Sequence, residues 1–161
     1  MDLNPVGMNN SRANAISGTT QVGSSRIGSD HASLWSGTAA SWVDLHPVGA
    51  SRSNALGLYG GYQVGDATVG IVNGASLWSG TAESWVNLHA LLPAYFSSSI
   101  AYGVSSDGVN IYIVGSGFNT LTGQGEALLW TQAAPVPEPF TMGFAGLALA
   151  TVARRRLRKS A

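Results

Sequence analysis

Histidine is the first residue type to test for chemistry in this chain, and its spacing argues against a catalytic or metal centre. His46 and His89 lie 43 residues apart in matching hexapeptides, Ser41-Trp42-Val43-Asp44-Leu45-His46 and Ser84-Trp85-Val86-Asn87-Leu88-His89. A metal or general-base site needs a carboxylate or third ring converging on one point. Equivalent positions of successive repeats line a surface instead, so these two are assigned to turns or edges. Asn4 holds the same place in an earlier copy. His31 is matched by Gly74 and Glu126, which marks an exposed, tolerant position. Asp66, Asp107 and Glu126 are scattered acids, with no paired carboxylates, Gly-x-Ser-x-Gly elbow or phosphate loop nearby. Asp107-Gly108 reads as a hairpin turn before it reads as a calcium loop. The absence of Cys removes disulfides and thiolate ligands. No catalytic residue, metal or cofactor is therefore assigned, and the chain is expected to be non-enzymatic.

The tryptophans divide into two sets. Trp35, Trp78 and Trp130 each end an apolar strand and are assigned to packing between repeats. Trp42 and Trp85 are flanked by Ser41, Asp44, Ser84 and Asn87, and are candidates for exposed aromatics that stack on sugar rings.

A repeat must position all of these residues. His31-Ala32-Ser33-Leu34-Trp35-Ser36-Gly37-Thr38-Ala39 recurs as Gly74-Ala75-Ser76-Leu77-Trp78-Ser79-Gly80-Thr81-Ala82. A diverged third copy ends at Glu126-Ala127-Leu128-Leu129-Trp130. Gln21-Val22-Gly23 matches Gln63-Val64-Gly65 and Ile113-Val114-Gly115, with Ala15, Ala55 and Ala101 at equivalent places. The units run about 2–43, 44–86 and 87–130, forming a repeat body over 1–130. In the second unit, strands are expected near 55–59, 61–66, 74–78 and 84–88, with Ser79-Gly80-Thr81 turning between the last two. Ser106-Asp107-Gly108 supplies a hairpin in the third. Four short antiparallel strands per unit predict an all-β fold of blade-like units, a partial β-propeller of about three repeats. Three blades fall short of the roughly four to eight that close a propeller.

These units resemble the extracellular HAF-type repeat, best in Ala101-Tyr102-Gly103-Val104-Ser105 through Glu126-Ala127-Leu128-Leu129-Trp130. The first two copies depart from that pattern at Ala15-Ile16-Ser17-Gly18 and Ala55-Leu56-Gly57-Leu58. The resemblance carries no catalytic residues.

Behind the repeats stands a tail of different composition. Pro135, Pro137 and Pro139 stiffen a linker over 131–139. Residues 140–153 form an uncharged run of 14, including Phe140, Phe144, Leu147, Leu149 and Val152. As a helix it spans roughly 21 Å, short of the roughly 30 Å hydrocarbon core. Its lack of an amphipathic stripe favours a short membrane helix over a buried one. The basic end, 154–161, carries Arg154, Arg155, Arg156, Arg158 and Lys159, which can snorkel to the headgroups and hold this end cytoplasmic. Residues 1–153 keep only Arg12, Arg26 and Arg52 against all 8 acids, so the body is acidic and nucleic acid is an unsuitable partner.

Val136-Pro137-Glu138-Pro139, the apolar run and the terminal Arg cluster together resemble the PEP-CTERM sorting signal of Gram-negative bacteria. The same element is also labelled the C-terminal region of ice-binding proteins. The resemblance implies recognition at Pro137, Glu138 and Pro139 by an exosortase, a membrane-embedded cysteine transpeptidase. The precursor would sit in the inner membrane before the body passes to the cell surface or the exopolysaccharide matrix. The expected function is that of an exported, non-catalytic envelope protein whose repeats bind polysaccharide. Alternatives are an ice-binding or adhesive surface protein and a fragment of a propeller-type enzyme. Met1 falls inside a repeat and no signal peptide precedes it, so a shortened N-terminus is expected.

Overall fold

The computed structural model describes residues 1–133. The linker beyond Ala133, the Pro-Glu-Pro motif, the apolar run and the basic end lie outside the described residues. No helix among the described residues is long and apolar enough to cross a membrane.

The body is all-β, in three antiparallel sheets that follow one another along the chain. The first holds β1 (Asn10–Ser17), β2 (Thr20–Ile27), β3 (Ser29–Trp35) and β4 (Val43–Asp44). The second holds β5 (Ala50–Tyr59), β6 (Tyr62–Val69), β7 (Val72–Trp78) and β8 (Val86–Asn87). The third holds β9 (Phe96–Ser106), β10 (Asn110–Asn119) and β11 (Gln124–Ala133). Each is a simple meander. The third sheet has three strands among the described residues where four were expected, and the sheets form no closed ring there.

Period-two alternation divides each sheet into two unlike faces. In the second sheet, Val64, Ala75 and Leu77 pack forward on Ala101, Ile111, Ile113 and Trp130. Ala67 and Trp78 pack backward on Val22, Ala32 and Leu45. Trp35, Trp78 and Trp130 are all buried. The leading strand of each sheet makes the junction: β5 lies against β1, β2 and β3, and β9 lies against β5, β6 and β7.

The repeated glycine of the second strand has a steric cause. A bulge in each leading strand brings a carbonyl of that strand over the glycine. A Cβ on Gly23, Gly65 or Gly115 would fall 1.8, 1.9 or 2.1 Å from the oxygen of Arg12, Asn54 or Ile100. The same geometry corrects the expected alignment. Ala13 pairs with Gly23, as Ala55 pairs with Gly65 and Ala101 with Gly115. Ala13 is therefore the counterpart of Ala55 and Ala101, and Ala15 lies beyond the bulge.

The connection into the short outer strand is a 3-10 turn, Ala39–Ser41 or Ala82–Ser84, with a reciprocal capping box between Thr38 and Ser41 or Thr81 and Ser84. This confines the expected strand at 84–88 to Val86–Asn87. At the β9–β10 hairpin, the Asp107 carboxylate accepts from the amides of Val109 and Asn110, and Gly108 takes a positive φ of 89°. Both amides and the Tyr112 hydroxyl hold the Asp107 pKa below its ordinary value. That carboxylate is committed to the turn.

Candidate functional site

The polar feature best suited to a ligand is a cleft of about 400 Å³ where the first sheet meets the second. Asn10, Arg26 and Asp30 stand in one row across β1, β2 and β3, and Arg12 stands opposite Ser24 two rows along. Ser11 and, from β5, Asn54 complete the lining. Asn54 is anchored there by Asn14, whose amide donates to Asn54 Oδ1 at 3.0 Å and to the Ala55 carbonyl at 2.8 Å.

The charges of this cleft are unbalanced, with Arg12 and Arg26 against Asp30, and the neighbouring sheet offers a contrast. In the second sheet the Arg52 guanidinium donates to the buried carboxylate of Asp66 at 2.9 Å. The repeat places Ser24 where Asp66 stands, Arg12 where Asn54 stands and Asn10 where Arg52 stands, so the first sheet has a guanidinium opposite a serine where the second has an amide opposite an acid. Among the described residues Arg12 has no carboxylate within salt-bridge reach, and it is exposed. Arg26 meets Asp30 at 3.4 Å, with both side chains about half exposed, a pair that contributes little in water. Two guanidiniums, one of them shared with Asp30, together with amides and hydroxyls around an open space, present the donors that carboxylate and hydroxyl groups accept from. The composition contrast between Ser24 and Asp66 was visible in the repeat and could have marked this position.

The histidines seal the junctions between sheets. His46 Nε2 lies 3.0 Å from the Ala50 carbonyl, which can only accept, so Nε2 carries the proton. Nδ1 of the neutral ring then accepts from the Ser53 hydroxyl at 2.8 Å. Ser53 Oγ in turn accepts the Ala32 amide at 2.8 Å. The contact has the composition of a serine–histidine pair, yet Ser53 is fully buried and both functions of its hydroxyl are used. The arrangement recurs at the next junction, where His89 Nδ1 lies 2.8 Å from Ser99 Oγ and the Ala75 amide donates to the same oxygen at 3.0 Å. Among the described residues no three His, Cys, Asp or Glu side chains converge as a metal site.

His31 differs from the exposed, tolerant residue expected. Its ring stacks on His46 at 3.8 Å between centroids, and its Nδ1 lies 3.0 Å from Asp44 Oδ2. The counterpart Gly74 is equally constrained, since a Cβ there would meet the His89 Cβ at 3.0 Å. Burial, then the neighbouring charge of His31, lowers the His46 pKa against weaker opposition from Ala50 and Asp44. Burial also lowers that of His89. The unfolded chain takes up protons near pH 6.5 that these folded rings resist. Their contribution is therefore full above about pH 6.5 and declines as pH falls below it. The thermal midpoint should drop between about pH 7.5 and about pH 5.5. Substituting both by Asn, the residue already at position 4, should reduce that drop; equal slopes for the two proteins would contradict this assignment.

Trp42 and Trp85 are half-buried where exposed rings were expected. Each indole N–H donates at 2.9 Å to a buried serine of its own sheet, Ser33 or Ser76. Trp85 borders a shallow hollow of about 200 Å³ with Pro47, Val48, Ala82 and Glu83. These rings cover serines first, and the arginine cleft lies elsewhere. No protein family, curated protein or solved structure matches the chain.

Proposed function

We propose that this chain is a non-enzymatic, exported envelope protein whose repeat body is part of a β-propeller and binds acidic polysaccharide in the cleft around Arg12. The observation that carries the binding reading is the Arg12 guanidinium, which has no carboxylate within salt-bridge reach among the described residues and stands in a polar cleft opposite Ser24, where the next sheet has Asp66. The blade reading rests on three successive meanders with a repeated forward-to-backward packing of faces. The sorting reading rests on the order of Pro137-Glu138-Pro139, the apolar run and the basic end, with an exosortase as processing partner and the inner membrane as first location.

Binding is tested on the full chain with polygalacturonate as the acidic probe and dextran as the neutral one. Arg12→Ala should weaken polygalacturonate binding about tenfold, the loss of one charge-assisted contact, and leave the thermal midpoint unchanged. Equal affinity of the two proteins, or no preference for the acidic polymer, would remove the cleft from the account. Co-expression with an exosortase should shorten the chain near Pro139, and an intact tail in its presence counts against the sorting route.

A further inference from the structure

The third sheet presents a forward face with nothing on it among the described residues. Its Val114, Ala127 and Leu129 match Val64, Ala75 and Leu77 of the second sheet. Val64 and Leu77 are 0% and 4% exposed beneath the third sheet, whereas Val114 and Leu129 are 52% and 64% exposed. Among the described residues the third sheet has no short outer strand beside β11.

The missing strand has a counterpart in this chain. In the first sheet Val43 and Asp44 pair with Leu34 and Ser33, and in the second Val86 and Asn87 pair with Leu77 and Ser76. The next residue then donates back to the same strand, from Leu45 to the Ala32 carbonyl at 2.8 Å and from Leu88 to Ala75 at 2.9 Å. Asp2-Leu3-Asn4-Pro5-Val6-Gly7 repeats Asp44-Leu45-His46-Pro47-Val48-Gly49. It already has the same local form: the Asn4 amide donates to Asp2 Oδ1 at 2.8 Å, as the His46 amide does to Asp44 Oδ1 at 2.8 Å. Yet Met1 and Asp2 pair with no strand among the described residues.

We propose that the forward face of the third sheet receives a second copy of this chain, whose residues 1–3 add to β11 as its fourth strand. The register follows from the two internal examples: Asp2 of one copy stands opposite Leu128 of the other, Met1 opposite Leu129, and the Leu3 amide reaches the Ala127 carbonyl. Adding a strand pairs the open edge, and the first sheet behind that strand covers Val114 and Leu129.

The full chain, dispersed in mild detergent, tests this by cross-linking. It has no native Cys, so introduced thiols report without background. Asp2→Cys with Leu128→Cys places two residues opposite one another at disulfide distance. Under mild oxidation this pair should yield at least about ten times more covalently joined chains than either single variant. Adding Leu129→Asp should abolish the joining. As a check that does not depend on Leu128, sedimentation should show Leu129→Asp alone as a monomer that keeps the far-ultraviolet circular dichroism of the unsubstituted chain. The proposal is overturned by joining no greater than in the single variants, by a bridge within one chain, or by Leu129→Cys alone linking as efficiently, which would mean two third sheets packed back to back. A monomeric unsubstituted chain overturns it as well.

Discussion

Gly65→Ala is expected to lower the thermal midpoint by about 10 °C or more, a cost on the order of 3 kcal/mol. The added methyl would sit 1.9 Å from the Asn54 carbonyl oxygen and 2.9 Å from the Ala55 Cα, both backbone atoms of the paired strand. No side-chain rotation relieves such a contact. The chain must open the β5–β6 ladder at its bulge, where β5 also supports both neighbouring sheets. Gly61 provides the control, because a Cβ there meets nothing within 4 Å and its φ is not positive. Gly61→Ala should leave stability unchanged or raise it by about 0.4–1 kcal/mol through the unfolded chain. Thermal melts of the two variants side by side check the argument, and equal midpoints would refute it.

Trp78→Ala should cost about 3–5 kcal/mol, the range for deleting a fully enclosed large aromatic. Trp78 is 0% exposed and packs among Val22, Leu45, Ala55 and Ala67, so its removal opens a void between the first two sheets. Its indole N–H has no partner among the described residues, unlike that of Trp130, which donates to the Leu88 carbonyl at 3.2 Å. The ring's value therefore lies in volume and contact area. Trp78→Phe keeps most of that volume and discards the unpaired donor, so it should cost less than about half as much as Ala. Urea unfolding of both variants measures the difference; a Phe variant as weak as the Ala variant would assign the energy to the indole nitrogen.

The strands were legible because apolar residues alternate between turn residues: Val64 and Leu77 on one face, Trp78 on the other, with Asp107-Gly108 closing a hairpin. The bulges were not legible. The counterpart of Ala55 is Ala13, which the offset of 42 between Gln21 and Gln63 also requires; the local likeness of Asn14-Ala15 to Asn54-Ala55 points two residues too far. The stack of His31 on His46 was equally hidden. It depends on where the chain turns after β4, a path set by Ser53 of the following sheet. The cleft lay in plain view as Ser24 in the place of Asp66, but its meaning required the register that sets Arg12 opposite that serine.

The histidine–serine contacts also bear on how the array assembles and changes length. Each joins the connecting segment of one unit to the leading strand of the next, within 7 residues at His46 and Ser53 and within 10 at His89 and Ser99. Recognition between units is therefore written partly into adjacent stretches of chain, beside the packing of one sheet face on the next. Such an array behaves as a row of nearest-neighbour couplings, in which a formed unit templates the one beside it. Duplicating or deleting a unit carries its own junction along with it, so the array can be lengthened or shortened without inventing a contact.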